Sequence, residues 1–240
     1  MIEHGLILGD FVQKHVNYSF VDTVITFSDY RKEILMSKTT KKIITIGPYI
    51  KHVTPLLTEE DFLKIKSNLG KCLVVFPSHS INSVEADFNV NEVIKEIERV
   101  KLLQNIDSVV ICMYWKDIQL LKYEPYTEKG YKVVTSGHSF DYYFLNRQKS
   151  IIELADFTMS NNVGTHVGYC ISLNKPHYIF NQEIKQKKTG LGFERELNQR
   201  NELDYKTYYN AKEDITSTFS VITEEISDKM RSVADKYWGC

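Results

Sequence analysis

The chain has 240 residues, 42% apolar and 25% charged, a globular mix with ample material for a core that excludes disorder and fibrous repeats. Thirty basic residues against thirty-one acidic ones leave a formal charge of −1, which removes the electrostatic footprint of a dedicated nucleic-acid binder. Cys72, Cys112, Cys170 and Cys240 are scattered without metal spacing, and neither a basic leader nor a membrane-length apolar stretch is present. The expectation is a reduced, soluble, cytoplasmic protein, with peripheral attachment at the inner face of a membrane left open.

After "EHG" at 3–5, "VDTVITFS" (21–28) has the β-branched content of a strand and "DYRKEILMSK" suits a short helix. "KKIITIGPYI" (41–50) is a second strand ended by Gly47-Pro48, so this part reads as a β-α-β unit. Thr58, with Asp61 three residues on, opens the helix "EEDFLKIKSNLG", and Gly70 stops it. "KCLVVFPSHS" (71–80) is a strand interrupted at Pro77. A polar loop through "INSVEADFN" then feeds a helix expected to bury Val93, Ile97, Val100 and Leu103 on one face. "SVVICMYW", "YKVVTSG", "ADFTMSN" and "HYIF" follow as strands separated by helix-like sequence.

Continuous apolar strands alternating with helices predict an α/β fold, a Rossmann-like doubly wound parallel sheet covered on both faces. Ligands of such sheets bind beyond the carboxyl ends of the strands. Five polar loops are expected to converge there: "GPYIKH", "PSHS", "YWKD", "SGHSFD" and "SNNVGTH". The organisation expected is an N-terminal segment over 1–20, a nucleotide-binding domain over 21–182, a polar loop or excursion over 183–220, and a C-terminal helix over 221–240. That helix should dock through Ile226, Met230, Val233 and Tyr237.

"SNNVGTH" lies where a strand gives way to a helix, so its backbone N–H groups and the helix dipole suit a phosphate. Gly164 allows close approach, and Thr165 and His166 offer donors; the plainer reading is an αL turn and cap with His166 in solvent. Ser78, His79 and Ser80 stand at the same edge as donor ligands or as a solvated loop, without the glycine elbow of a serine hydrolase. His4, beside Glu3, is a candidate general base or an exposed histidine of a frayed terminus. His138, Tyr142 and Tyr143 lie at another strand end, the tyrosines able to stack on a base or sugar or simply to pack. Without an HxH or HExxH spacing no metal site is expected.

The order "HG", "DTVITFS", "IGPYI", "LVVFPS", a strand near Trp115, then "ELADFTMSNNVGTHVGYCISLNKPHYIF" resembles the donor-binding half of GT-B glycosyltransferases. It is nearest the CDP-glycerol glycerophosphotransferase-like and capsular or surface-polysaccharide group, and the resemblance runs from Glu3 to Phe180. Those enzymes take a catalytic histidine from "HG" and hold the donor's phosphates with a "D-x-x-I-T-x-S-S" segment ahead of "KP". The resemblance therefore implies His4 as the catalytic base and Gly164-Thr165 in place of the serine pair, with Lys175-Pro176 matching "KP". Ser78, His79, His138, Ser160, Asn162 and His166 are the further donor or phosphate ligands, and Trp115, Tyr142 and Tyr169 the candidate base or sugar contacts.

The departures are specific. "APTWR" becomes "FPSHS" without the arginine, "HP" becomes "YWKD" without the second histidine, and Tyr169 stands where relatives keep an acid for ribose or glycerol. These put a sugar nucleotide beside cytidine-glycerol as the donor. The activity implied is metal-independent transfer from a nucleotide-activated donor to a hydroxyl acceptor, such as a lipid-linked glycan, in capsule, O-antigen or other surface-polymer synthesis. No cofactor other than the donor is expected. Because the resembling half is one side of a two-domain cleft, a separate N-terminal-domain subunit or a homo-oligomer is expected to complete it. The alternatives are a non-catalytic half that holds a nucleotide sugar or a partner subunit, and a nucleotide-sugar epimerase.

Overall fold

The computed structural model describes residues 1–3, 5–13, 15–18, 20–81, 83–188 and 205–240. Helix α1 (His15–Tyr18) leads to strand β1 (Thr23–Thr26), helix α2 (Asp29–Lys38) and strand β2 (Lys42–Thr45). A 3-10 turn at Tyr49–His52 and helix α3 (Glu59–Leu69) precede β3 (Cys72–Phe76). Then come β4 (Val84–Asp87), α4 (Val90–Gln104), β5 (Ser108–Met113), α5 (Trp115–Gln119), α6 (Glu124–Glu128) and β6 (Lys132–Thr135). They are followed by α7 (Phe144–Glu153), β7 (Phe157–Ser160), α8 (Thr165–Ser172), β8 (His177–Ile179) and β9 (Lys185–Lys188). Two further helices span Tyr205–Phe219 and Asp228–Trp238.

Strand β3 is apolar at every position because both of its faces are covered. Leu73 and Val75 pack with Val93, Ile97 and Val100 of α4 and with Tyr126 of α6. Cys72, Val74 and Phe76 point the other way, into a layer with Ile152 of α7 and Tyr169 and Cys170 of α8. Each fully buried aliphatic side chain in these layers contributes roughly 1.5–3 kcal/mol. A third layer lies outside α8, where helices Tyr205–Phe219 and Asp228–Trp238 bring Ile215, Phe219, Met230 and Trp238 against Val167 and Ile171.

The main sheet is parallel, with order β6-β5-β3-β7-β8, and Val74 is in register with Val110 on one side and Thr158 on the other. The chain winds outward from β3 through β5 to β6, crosses back by α7, and winds outward through β7 to β8. This is a doubly wound α/β domain of Rossmann topology, and its winding reverses between β3 and β7.

Local chemistry sets the helix limits. Thr58 Oγ1 accepts from the Asp61 amide at 3.1 Å, and Gly70, at φ +60°, ends α3. The buried face of α4 departs from the expected one: Leu103 is 55% exposed and Gln104 is buried. Steps of four, three and four from Val93 arrive at 104, which stays on a 3.6-residue stripe where a final step of three drifts off it.

Three further expectations are corrected. Strands β1 and β2 form their own two-stranded parallel sheet, so "GPYIKH" is not on the edge of the main sheet. The loop "INSVEADFN" contains β4, which pairs antiparallel with β9, Ala86 opposite Gln186. The excursion expected over 183–220 includes β9 and the helix Tyr205–Phe219, which buries Ala211, Ile215 and Phe219; of that segment, 189–204 lie outside the described residues.

Candidate functional site

Reversal of the winding opens a crevice beyond the carboxyl ends of β3 and β7, between the loops "PSHS" and "SNNVGTH". Two helix N-termini flank it, and they differ. At α4, Asn89 Oδ1 accepts from the amides of Asn91 and Glu92 at 3.1 and 3.4 Å, and Glu92 adds a carboxylate to the first turn. That end is already capped and repels an anion. At α8, Gly164 occupies the cap position, no side chain caps the helix, and the first turn carries no acid. The free N–H groups and positive dipole end of the crevice therefore lie at α8.

Gly164 is extended, at φ −165°, so no αL turn is present. Its missing β-carbon matters for another reason: one placed there would sit 2.7 Å from the His166 ring. That ring folds back over the turn and stacks on Phe76 with centroids 5.0 Å apart, and so is not in open solvent. It hydrogen-bonds the Asn162 backbone, while Nε2 is buried and has no partner. Burial first, then the charge of His79, pushes its pKa down to about 3, against the upward pull of that hydrogen bond. Ser78 also carries an unpaired atom: its amide donates to Asn161 Oδ1 at 2.7 Å, but its buried Oγ makes no hydrogen bond.

Ser160 is not a free ligand. Its hydroxyl donates to the Asn162 carbonyl at 2.8 Å and lies 3.0 Å from His177 Nε2 inside the protein. The side-chain oxygen of Asn162 is taken by the Val163 amide at 2.9 Å. Thr165 Oγ1 accepts from the Leu6 amide at 2.8 Å, which leaves its own O–H to donate. His4 itself lies outside the described residues. The residues that follow it, Gly5 and Leu6, lie at the start of α8, where a β-carbon on Gly5, at φ +75°, would meet Thr165 Oγ1 at 3.1 Å. Glu3 is not available to sharpen His4: its buried carboxylate pairs with Arg31 at 2.6 Å and accepts from Thr26 Oγ1 at 2.7 Å.

A second cluster stands over the ends of β3, β5 and β6. The ring of His79 lies 4.9 Å from Tyr114, and that of His138 lies 5.0 Å from Trp115 and 5.2 Å from Phe140. Trp115 Nε1 is buried without a partner. Two expected contacts fail. Tyr142 is 88% exposed, with Tyr143 as its ring neighbour, so the structure does not bring it to the cluster. Tyr169 is 3% exposed and packs edge-on to Phe27 in the core, with burial raising its pKa.

Several residues that hold this edge together escape a reading by motif. Asn161 is fully buried and spans the crevice, accepting from the Ser78 amide and donating to Gln182 Oε1 at 3.2 Å. Gln182 in turn donates to the Asn89 carbonyl and to Glu92, each at 2.9 Å. Ser80 Oγ donates to buried Asp117 at 2.6 Å, which fixes the loop after β3. His177 lies between Thr158 Oγ1, at 2.8 Å, and Ser160, and burial holds its pKa well below the usual histidine value, with His166 adding to the effect. Only the polar residues inside "FTMS" and "HYIF", both otherwise apolar, hinted at this pair. A solvent-open cavity of about 270 Å³, lined by Asp87, Glu92, Gln182, Glu183 and Lys185 among others, lies beside α4 rather than at α8. Among the described residues no group of three or more His, Cys, Asp or Glu is placed to hold a metal ion. Among the same residues no helix is long and apolar enough to cross a membrane.

The class these features define is a doubly wound α/β domain with an uncapped helix N-terminus at its switch point. No protein-family model matches the chain, and no curated protein matches its sequence. Among solved structures, one described as that of the wall teichoic acid polymerase TagF aligns with 98% of this chain at a TM-score of 0.48 and 14% identity. This chain spans 62% of that protein's length.

Proposed function

We propose that this domain binds the nucleotide-activated donor of a transferase that passes a glycosyl or glycerophosphoryl group to a hydroxyl acceptor in bacterial surface-polymer synthesis. The observation that carries the reading is the Leu6–Thr165 hydrogen bond, because it joins the residue after "HG" to "SNNVGTH", the first and last of the motifs whose order carries the sequence resemblance. The donor's diphosphate would lie against the first turn of α8, with the Thr165 hydroxyl and Ser78 Oγ as added donors. His79, Tyr114, Trp115, His138 and Phe140 offer ring faces to the base or sugar beside it. His4 would take the acceptor's proton as its oxygen attacks the donor. For a glycosyl group the anomeric carbon's bond to the diphosphate breaks and the nucleoside diphosphate leaves; for a glycerophosphoryl group the bridge between the two phosphates breaks and the nucleoside monophosphate leaves. In either case the N-terminus of α8 would stabilise the departing charge.

A thermal-shift panel of CDP, UDP, GDP, CMP and their sugar or polyol derivatives tests the binding step, since a ligand of the folded state raises Tm. At least one should do so, and Gly164→Val, which crowds the turn, should abolish the shift. Absence of any shift overturns the reading. His4→Ala should remove transfer to a hydroxyl acceptor while leaving the shift near wild type. If wild type binds a donor yet transfers nothing with its neighbouring subunit present, the domain is a binding half without catalysis. Turnover of a free sugar nucleotide without any acceptor would mark an epimerase.

A further inference from the structure

A diphosphate needs positive charge, and the lysine that reaches the loop after β3, Lys122 at 3.4 Å from Ser80 Oγ, is already paired with Glu85 at 3.1 Å and Asp117 at 3.7 Å. The hydrogen bonds recorded for Ser78, Asn161, Asn162 and Thr165 involve no lysine or arginine. The one titratable side chain acting on the His166 ring is His79, from the loop after β3, and the one acting on His177, on β8, is His166. The other neighbours of these rings, Phe76 on β3 and Phe219 on helix Tyr205–Phe219, carry no charge.

The tautomer of His166 then decides what the ring can offer. Its hydrogen bond to the Asn162 backbone and its unpartnered Nε2 assign the ring proton to Nδ1, donating to the carbonyl. In the neutral ring Nε2 is therefore a bare lone pair, which a phosphate oxygen cannot use. His177 has no such choice, because both of its nitrogens are engaged, by Thr158 and Ser160.

We propose that binding of a diphosphate at the N-terminus of α8 is coupled to uptake of a proton by His166, whose Nε2–H then donates to a phosphate oxygen. The proposal rests on the donor-binding reading above. The free ring is kept neutral by burial and by repulsion from His79, and a diphosphate reverses the sign of the nearby charge. The complex thus holds one proton more than its separated parts. Affinity should fall up to tenfold per pH unit as pH rises from the free value of about 3 to the higher value in the complex, and level off above it.

The test is calorimetric titration of the wild-type chain with UDP-glucose, GDP-mannose and CDP-glycerol at pH 6.5, in buffers of differing ionisation enthalpy. These diesters carry no ionisable phosphate proton near that pH, so any proton taken up belongs to the protein. The observed enthalpy should rise with the buffer's ionisation enthalpy, with a slope approaching about one proton per ligand. In His166→Asn the slope should fall to near zero with weaker binding. Nitrogen NMR of labelled histidines should also show Nε2 of His166 bare in the free protein and protonated in the complex, a readout that needs no variant. Binding with a flat slope, or a slope kept in His166→Asn, overturns proton uptake by His166 and leaves the donor reading standing. Absence of heat with all three ligands and of any shift in the wider panel overturns the donor reading, and this coupling with it.

Discussion

The amide of Leu6 donates to the hydroxyl of Thr165 at 2.8 Å, tying the start of the chain to the first turn of α8 across 159 residues. Thr165→Val keeps the shape and removes the acceptor, so the Leu6 N–H loses its partner. A stability loss of about 1 kcal/mol is expected, read as a lower urea midpoint at unchanged m-value, and Thr165→Ser should restore most of it. Equal stability of the valine and serine variants would show that this bond does not fasten the segment.

Asn161 closes the crevice from within, bonded to the Ser78 amide and to Gln182. Asn161→Ala strands the Ser78 N–H and should cost about 1–3 kcal/mol. Asn161→Asp keeps the acceptor for Ser78 and loses the bond to Gln182, so it should be the milder change in stability. It also places a carboxylate beside the uncapped helix, and should weaken nucleotide binding more than its stability cost implies. Equal nucleotide affinity in Asn161→Asp and wild type would contradict an anion site there.

The buried pair of Glu3 and Arg31, at 2.6 Å, holds the N-terminal segment against β1 and α2. Removing one charge leaves the other uncompensated, so Glu3→Gln should destabilise by about 3–5 kcal/mol. The double variant Glu3→Gln, Arg31→Met should recover a large part of that loss. Thermal melts of the two singles and the double decide it, and additive losses would mean that the charges do not depend on one another.

Acid sensitivity follows from His166 and His177. Both fold with pKa values below the ordinary 6.5, the first at about 3, so the unfolded chain binds more protons as pH drops beneath 6.5. Their contribution is intact above 6.5 and lost on acidification, at about 1.4 kcal/mol per pH unit for each ring. Urea stability at pH 7.5, 6.5, 5.5 and 4.5 should be flat between the first two and fall steeply after. Stability unchanged down to pH 4.5 would show the rings to be hydrated.

Much of the fold was legible because the central strands of the main sheet are buried on both faces, and "CLVVF" and "SVVICM" can be little else. The switch-point loops followed from the same pattern. Hydrogen-bond bookkeeping was not legible: Ser160, Asn162 and Thr165 looked like three equivalent ligands, yet Ser160 is spent on His177 and only Thr165 faces the N-terminal segment. Nor does a motif say that Tyr169 points inward, because α8 is packed on two sides, Tyr169 and Cys170 on one and Val167 and Ile171 on the other. Strands β1 and β2 read like the rest and form a separate sheet, because strand partners are chosen by contacts distant in sequence that leave no local mark.

Gly168 has consequences for how the domain is made. A β-carbon there would fall inside the indole of Trp238, and Gly239 next to it lies against the Phe27 carbonyl, with Gly47 on its other side. The underside of the helix that carries the uncapped N-terminus is therefore finished by residues translated well after the strands of the main sheet. A ribosome-bound chain that has exposed everything through Ile179 can pair those strands, yet the Val167 and Ile171 face of α8 is covered only as the helices Tyr205–Phe219 and Asp228–Trp238 emerge. The first turn of α8 should mature late in synthesis, and substitutions at Gly168 should lower the yield of folded chain even where the main sheet has already assembled.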